Sequence, residues 1–210
     1  MRLTPDNAHG YTNLGAFYGR LENYAEAKRF FERAIKIEPR STALSNLGNL
    51  FSKQGKLQEA FRQYERAIEL QPDDRHNWAN LASAAGKIGD NSRRIEAYEA
   101  AIRLVDRALQ VNPKDTEQLA DRAHYLASLG DKRAASADID RALSLQPENP
   151  STIALLAESC AQTDRVDDAI TLARLALDRG YPIESFKEDW GIAKLISGPV
   201  HRDAFERYRE

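Results

Sequence analysis

The chain has 210 residues, and 30 Lys and Arg against 32 Asp and Glu leave a formal net charge of −2. So even a balance excludes a nucleic-acid binder that works through bulk positive charge, and 42% hydrophobic with 30% charged residues excludes the disordered and fibrous classes. No run of about 18 apolar residues occurs, so no membrane insertion is expected, and the single cysteine, Cys160, excludes an internal disulfide and a thiolate zinc site.

Repetition organises the rest. Met1–Pro5, Ile35–Pro39, Ile68–Pro72, Leu109–Pro113 and Leu143–Pro147 all read apolar, x, apolar, x, Pro, and their prolines step by 34, 33, 41 and 34 residues. Between them Tyr11, Leu14, Gly15, Tyr18, Ala27, Phe31, Ala34 and Pro39 recur as Leu44, Leu47, Gly48, Phe51, Ala60, Tyr64, Ala67 and Pro72. The spacing predicts pairs of antiparallel helices. Gly55, Gly89 and Gly130 fall where a left-handed residue ends a first helix. Each proline lies just past a second helix, which it cannot continue. The mid-helix small residues Gly15, Gly48, Ala82, Ala123 and Ala157 predict close approach of the partner helix. A helical glycine costs about 1 kcal/mol relative to alanine, and Ala27, Ala60, Ala135 and Ala169 are expected to face these positions.

The pattern resembles the tetratricopeptide repeat (TPR), a helix–turn–helix unit of about 34 residues with a W-x2-L-G-x2-Y … A-x3-F … P signature. The first two units match throughout, with Tyr11 and Leu44 in place of Trp. The third, from Trp78-x2-Leu81-Ala82, departs at Arg94, where a small residue is usual. The fourth carries Leu119, Ala123, Leu126, Ala135, Ile139 and Ala142 but has Arg122 in place of Leu. The fifth is the weakest, with Ile153, Leu156, Ala157, Cys160, Ala169, Ala173 and Ala176. The resemblance implies an all-α, right-handed superhelical solenoid of five TPR hairpins with a C-terminal helical cap. The expected boundaries are 1–7 for the remnant of a preceding repeat, then 8–40, 41–74, 75–115 with an extended second helix, 116–149, the degenerate 150–183, and the cap at 184–210. One unit buries too little to fold alone, so stability comes from stacking. Cys160 stands where Tyr18 and Phe51 stand and reads as a small buried hydrophobe.

Three irregularities follow in chain order. Met1–Pro5 reads as the tail of a lost second helix, which is expected to leave Tyr11 and Tyr18 on an uncapped end open to end-to-end self-association. The extra residues between Tyr98 and Asn112 contain no Gly or Pro. Seven residues are two turns with a drift of about 20°, so one helix is predicted from about Ser92 to Val111, burying Ile95, Tyr98, Ile102, Val105 and Leu109. In the tail, Gly180-Tyr-Pro182 stops the last regular helix, and Ile183, Phe186, Trp190, Ile192, Leu195, Ile196, Phe205 and Tyr208 predict short capping helices. This tail is similar to the ends of TPR arrays in bacterial multidomain signalling proteins, which implies a bacterial source. Residues 1–11 lack a basic start followed by an apolar run, so a cytoplasmic location is expected.

Chemistry-bearing patterns are absent. No two histidines pair at helical spacing, so no metal is expected. Asp138-x-Asp140 and Asp164-x2-Asp167-Asp168 lack the Gly and Glu of a calcium loop and read as solvated faces. No phosphate or dinucleotide loop occurs, and Gly86-Lys-Ile-Gly89 ends a helix, so neither a cofactor nor catalysis is expected. The resemblance instead implies that the first helices line a concave groove whose partner is a protein or peptide. Asn13, Asn46 and Asn80 precede Leu-Gly or Leu-Ala in three successive units. An amide both donates and accepts, as a peptide bond requires, and this row is similar to the Asn ladder of O-GlcNAc transferases. Arg20, Lys53 and Lys87 form a basic row two turns later, and His76 and Asn49 add polar groups. The carboxylate clamp of chaperone-binding TPR proteins is missing, because the first unit offers Thr12 and Ala16. The chain therefore reads as a non-catalytic scaffold for an extended peptide; the alternatives are a self-associating module or an auxiliary domain of a larger signalling enzyme.

Overall fold

Helix starts are set by side chains that accept backbone N–H groups otherwise left without partners. Asn7, Asn23, Asp74, Asp115, Asp131 and Asn149 do this, and Pro150 follows Asn149 where its missing N–H costs nothing. Helix ends use the left-handed region: Gly55, Gly89 and Gly130 have φ of 71°, 84° and 89°. At the matching places in the first and fifth hairpins stand Glu22 and Asp164, with φ of 56° and 64°.

The structure, a computed structural model, describes residues 7–186, 190–198, 205 and 208, and among these all regular structure is helical. The helices are α1 Ala8–Arg20, α2 Tyr24–Ile37, α3 Ser41–Lys53, α4 Leu57–Leu70, α5 Arg75–Lys87, α6 Asn91–Val111, α7 Thr116–Leu129, α8 Lys132–Ser144, α9 Pro150–Gln162, α10 Val166–Asp178, α11 Ile183–Phe186 and α12 Trp190–Ser197. No helix of the described residues is long and apolar enough to cross a membrane. Two compact units, Met1–Leu104 and Val105–Glu210, divide the chain within α6.

In the first unit α1 pairs with α2 and α3 with α4, while α2 packs on α3 and α4 on α5. The first helices α1, α3 and α5 lie side by side, and a buried bond from the Asn77 amide to the Ser41 hydroxyl, 2.8 Å, ties α5 to α3. Gly15 and Gly48 do mark close approach, but the partner is an aromatic ring one turn beyond Ala27 and Ala60. A Cβ at either glycine would lie 2.6 Å from a ring carbon of Phe31 or Tyr64. Arg94 is accommodated in the same way, since Gly86 of α5 leaves room for its aliphatic stem, which a Cβ there would meet at 2.8 Å.

Helix α6 is unbroken for 21 residues, about 30 Å at 1.5 Å per residue. Tyr98, Val105 and Leu109 are buried as expected, but Ile95 is 43% exposed. The inward stripe enters through Arg94, Ala97 and Ala101 instead, because Arg94 lies over Gly86 and Arg93 reaches Glu65 of α4 at 2.9 Å. The first helix also differs from expectation. Tyr11 is buried, stacked on Phe30 and covered by Arg33, and Tyr18 also stacks on Phe30. Among the described residues of this end, Phe17 and Leu21 are the large exposed apolar ones. The segment Met1–Pro5 lies outside the described residues.

In the second unit α7 pairs with α8 and α9 with α10, and α7 lies beside α9. Asp138 is not solvated: it is buried and held by Arg122, the residue that replaces the signature leucine. Asp140 and Asp168 share Arg165, at 2.7 Å each, and Asp164 pairs with Lys132. Helix α12 lies against α9 and α10, and Phe186, Ile192 and Phe205 are buried. Tyr208 donates to the Asp178 carboxylate at 2.6 Å. The Trp190 side chain lies outside the described residues.

Candidate functional site

Spacing places Asn46, Asn49, Leu50 and Lys53 on one stripe of α3, and Ala16, Gly19 and Arg20 on one stripe of α1. Between these stripes lies a hollow of about 210 Å³, closed below by Phe31 of α2. Its floor is apolar, with Phe31 and Leu50 only 3% and 4% exposed. Arg20, Asn49 and Lys53 are exposed and form the rim, and Asn46 is half-buried in the wall. None of the lining side chains is acidic.

Asn49 is held in place from below. The Tyr64 hydroxyl donates to its Oδ1 at 2.7 Å, which leaves the two amide N–H donors for another partner. Burial pushes the Tyr64 phenol well above its ordinary value, so it stays protonated and keeps donating. Tyr64 is therefore a positioning residue that the groove reading from sequence did not include. A signal for it exists in the chain: Ala16 sits opposite Phe31, whereas Asn49 sits opposite Tyr64, and Ser83 and Tyr98 occupy the same two positions one unit on. Gly19 and Leu50 were missed for a different reason, since apolar lining carries no chemical signature.

The other anticipated residues do not line the hollow. Asn13 is exposed on α1, its amide nitrogen 3.2 Å from Nε2 of His9. Asn80 is half-buried on α5, and His76 and Lys87 are exposed near the two ends of that helix. The backbone N–H of His76 donates to the capping Asp74. Thr12 is turned back onto its own helix, its hydroxyl donating to the Ala8 carbonyl at 3.0 Å. Among the nucleophile types, Cys160 is fully buried, and burial, opposed by nearby Arg165, pushes its thiol up to about 12. A thiol so disposed is neutral and inert at ordinary pH.

No curated protein matches the sequence. Among solved structures, the thermophilic TPR protein TTC0263 of Thermus thermophilus is 25% identical, with 86% of this chain and 95% of that one covered and a TM-score of 0.63. A MamA RS-1 double mutant is 17% identical over 88% of this chain and 98% of its own, with a TM-score of 0.50. Models of the tetratricopeptide repeat match residues 6–73, 39–114 and 92–160. Together the matched stretches run from α1 to within α9, and the chain belongs to the tetratricopeptide repeat family.

Proposed function

We propose that the chain is a non-catalytic scaffold that holds an extended segment of a partner protein across α1, α3 and α5. The observation that carries this reading is the hollow whose wall and rim gather Arg20, Asn46, Asn49 and Lys53 on two adjacent first helices. Asn13 and Asn80 extend the amide row to either side, and Lys87 continues the basic one. Each amide bond to a peptide replaces bonds to water, so its net worth is about 0.5–1.5 kcal/mol. Three of them amount to about one to three powers of ten at about 1.4 kcal/mol per tenfold. The test is calorimetry with a peptide selected from a displayed random library. The triple change Asn13→Ala, Asn46→Ala and Asn80→Ala weakens it about a hundredfold while helicity holds, and added salt weakens the parent complex through the basic row. An unchanged dissociation constant places the site elsewhere.

A second reading, self-association through α1, is favoured by Phe17 and Leu21, which are 47% and 61% exposed one turn apart. The α3 residue equivalent to Phe17 is Leu50, 4% exposed against the preceding hairpin. Light scattering on Phe17→Glu at high protein concentration decides it, since a parent that is itself monomeric removes this reading.

A further inference from the structure

We infer that the hollow between α1 and α3 is a side-chain pocket, which receives one leucine-sized apolar residue of an acidic peptide. This rests on the groove reading above and adds what the groove selects.

Gly19 carries the argument. Gly15, Gly48 and Gly86 have a packing reason: a Cβ there would lie 2.6, 2.6 or 2.8 Å from a neighbouring side chain. Gly55 and Gly89 have positive φ. Gly19 has neither reason, because its Cβ would meet only the Ala27 methyl, at 4.0 Å, an ordinary contact. Helix propensity favours alanine there, yet the position is glycine and it opens onto the hollow. The missing methyl enlarges that space and lets a ligand approach the α1 backbone.

Size, polarity and charge then define the occupant. About 210 Å³ falls short of the roughly 300–1,000 Å³ of sites that enclose a whole small molecule, but suits a single side chain. Phe31 and Leu50 below require that side chain to be apolar. Arg20 on the α1 side of the rim and Lys53 on the α3 side favour carboxylates on the flanking residues. Asn49, fixed by Tyr64, presents N–H donors at the rim to a ligand carbonyl.

The test uses the full chain, isotope-labelled, and acetylated seven-residue peptides with two aspartates flanking a central glycine, alanine or leucine, followed by amide NMR titration. The leucine peptide is expected to bind about tenfold or more tighter than the glycine peptide, the order that burial of its side chain gives, with shifts centred on Gly19, Asn49 and Leu50. Gly19→Leu fills the hollow and abolishes the preference. Gly19→Ala, which the fold accepts, reduces it while raising the melting temperature. A preference that survives Gly19→Leu overturns the pocket. Equal binding of all three peptides, weakened by Asn46→Ala, overturns the pocket and leaves the groove. Binding by none at millimolar concentration overturns both. A leucine peptide with asparagines that binds as well as the aspartate one overturns the acidic preference, and the same shifts on concentrating the protein alone overturn a peptide occupant in favour of a second copy.

Discussion

Arg122 grips Asp138 through two parallel hydrogen bonds, Nε to Oδ2 at 2.7 Å and Nη2 to Oδ1 at 2.8 Å. The pair joins α7 to α8 where the repeat signature asks for leucine, and Asp106 adds a further carboxylate to the same guanidinium. Asp138 is 6% exposed, so Arg122 supplies hydrogen bonds that water would otherwise make.

Restoring the signature residue alone is therefore expected to harm the fold. Arg122→Leu strands a buried carboxylate, and breaking such a pair from one side costs about 2–4 kcal/mol after allowance for the partly exposed arginine. The double change Arg122→Leu with Asp138→Leu replaces the pair by apolar packing and recovers to within about 1 kcal/mol of the parent. Urea midpoints of the three proteins, followed by circular dichroism, check this. Equal stability of Arg122→Leu and the parent would show that the pair contributes nothing.

The same position shows where sequence reading stops. The hairpins, the glycine stops and the long α6 were legible because each rests on local rules: helical period, left-handed caps, and an insertion of whole turns. Asp138 and Ile95 were misread because burial of one residue depends on a side chain from another helix. Arg122 makes Asp138 an interior group, and Arg94 over Gly86 turns α6 so that Ile95 faces out. Arg20, Asn46, Asn49 and Lys53 line one hollow, while Asn13, His76, Asn80 and Lys87 do not. The cavity itself was invisible, since the apolar lining at Gly19, Phe31 and Leu50 carries no pattern that marks a hollow in the sequence.

Glycine substitutions separate packing from propensity. Gly48→Ala sets a methyl 2.6 Å from the Tyr64 ring, and overpacking of this kind costs about 1–3 kcal/mol, more than the propensity of alanine returns. It also tilts the ring whose hydroxyl holds Asn49. Gly19→Ala meets only Ala27 at 4.0 Å and gains about 0.5 kcal/mol near the helix end. Opposite shifts of the melting temperature are the expected outcome; two shifts of the same sign contradict the geometry.

Glu22 ends α1 with φ of 56°, where the second, third and fourth hairpins use glycine. A left-handed conformation is costly for a residue with a Cβ, so Glu22→Gly is expected to stabilise by about 0.5–1 kcal/mol. Asp164→Gly gains less: aspartate tolerates this region better than glutamate, and the change removes the ion pair with Lys132. Denaturant midpoints rank the two, and a larger gain at Asp164 would refute the conformational account.

Cys160 gives stability a dependence on alkaline pH. Burial raises its thiol from the ordinary 9.0 to about 12 in the folded chain, with Arg165 opposing and Asp168 and Asp140 assisting. The folded state thus keeps a proton that the unfolded state releases. A raised folded value stabilises fully below the unfolded one, so the contribution is complete below about pH 9 and is lost as pH rises from there toward 12. Within that window the loss is about 1.4 kcal/mol per pH unit for one proton. Cys160→Ala removes the titration, so the stability difference between parent and variant narrows as pH rises from 8 to 10.5, roughly by that slope above pH 9. Parallel stability curves would mean the thiol ionises as readily folded as unfolded. Alkylation by iodoacetamide gives an independent reading, because a thiol with no exposed surface reacts only through opening of α9 and α10. Its rate should then follow urea concentration as the second unit loosens, and rapid labelling of the native chain would refute the burial.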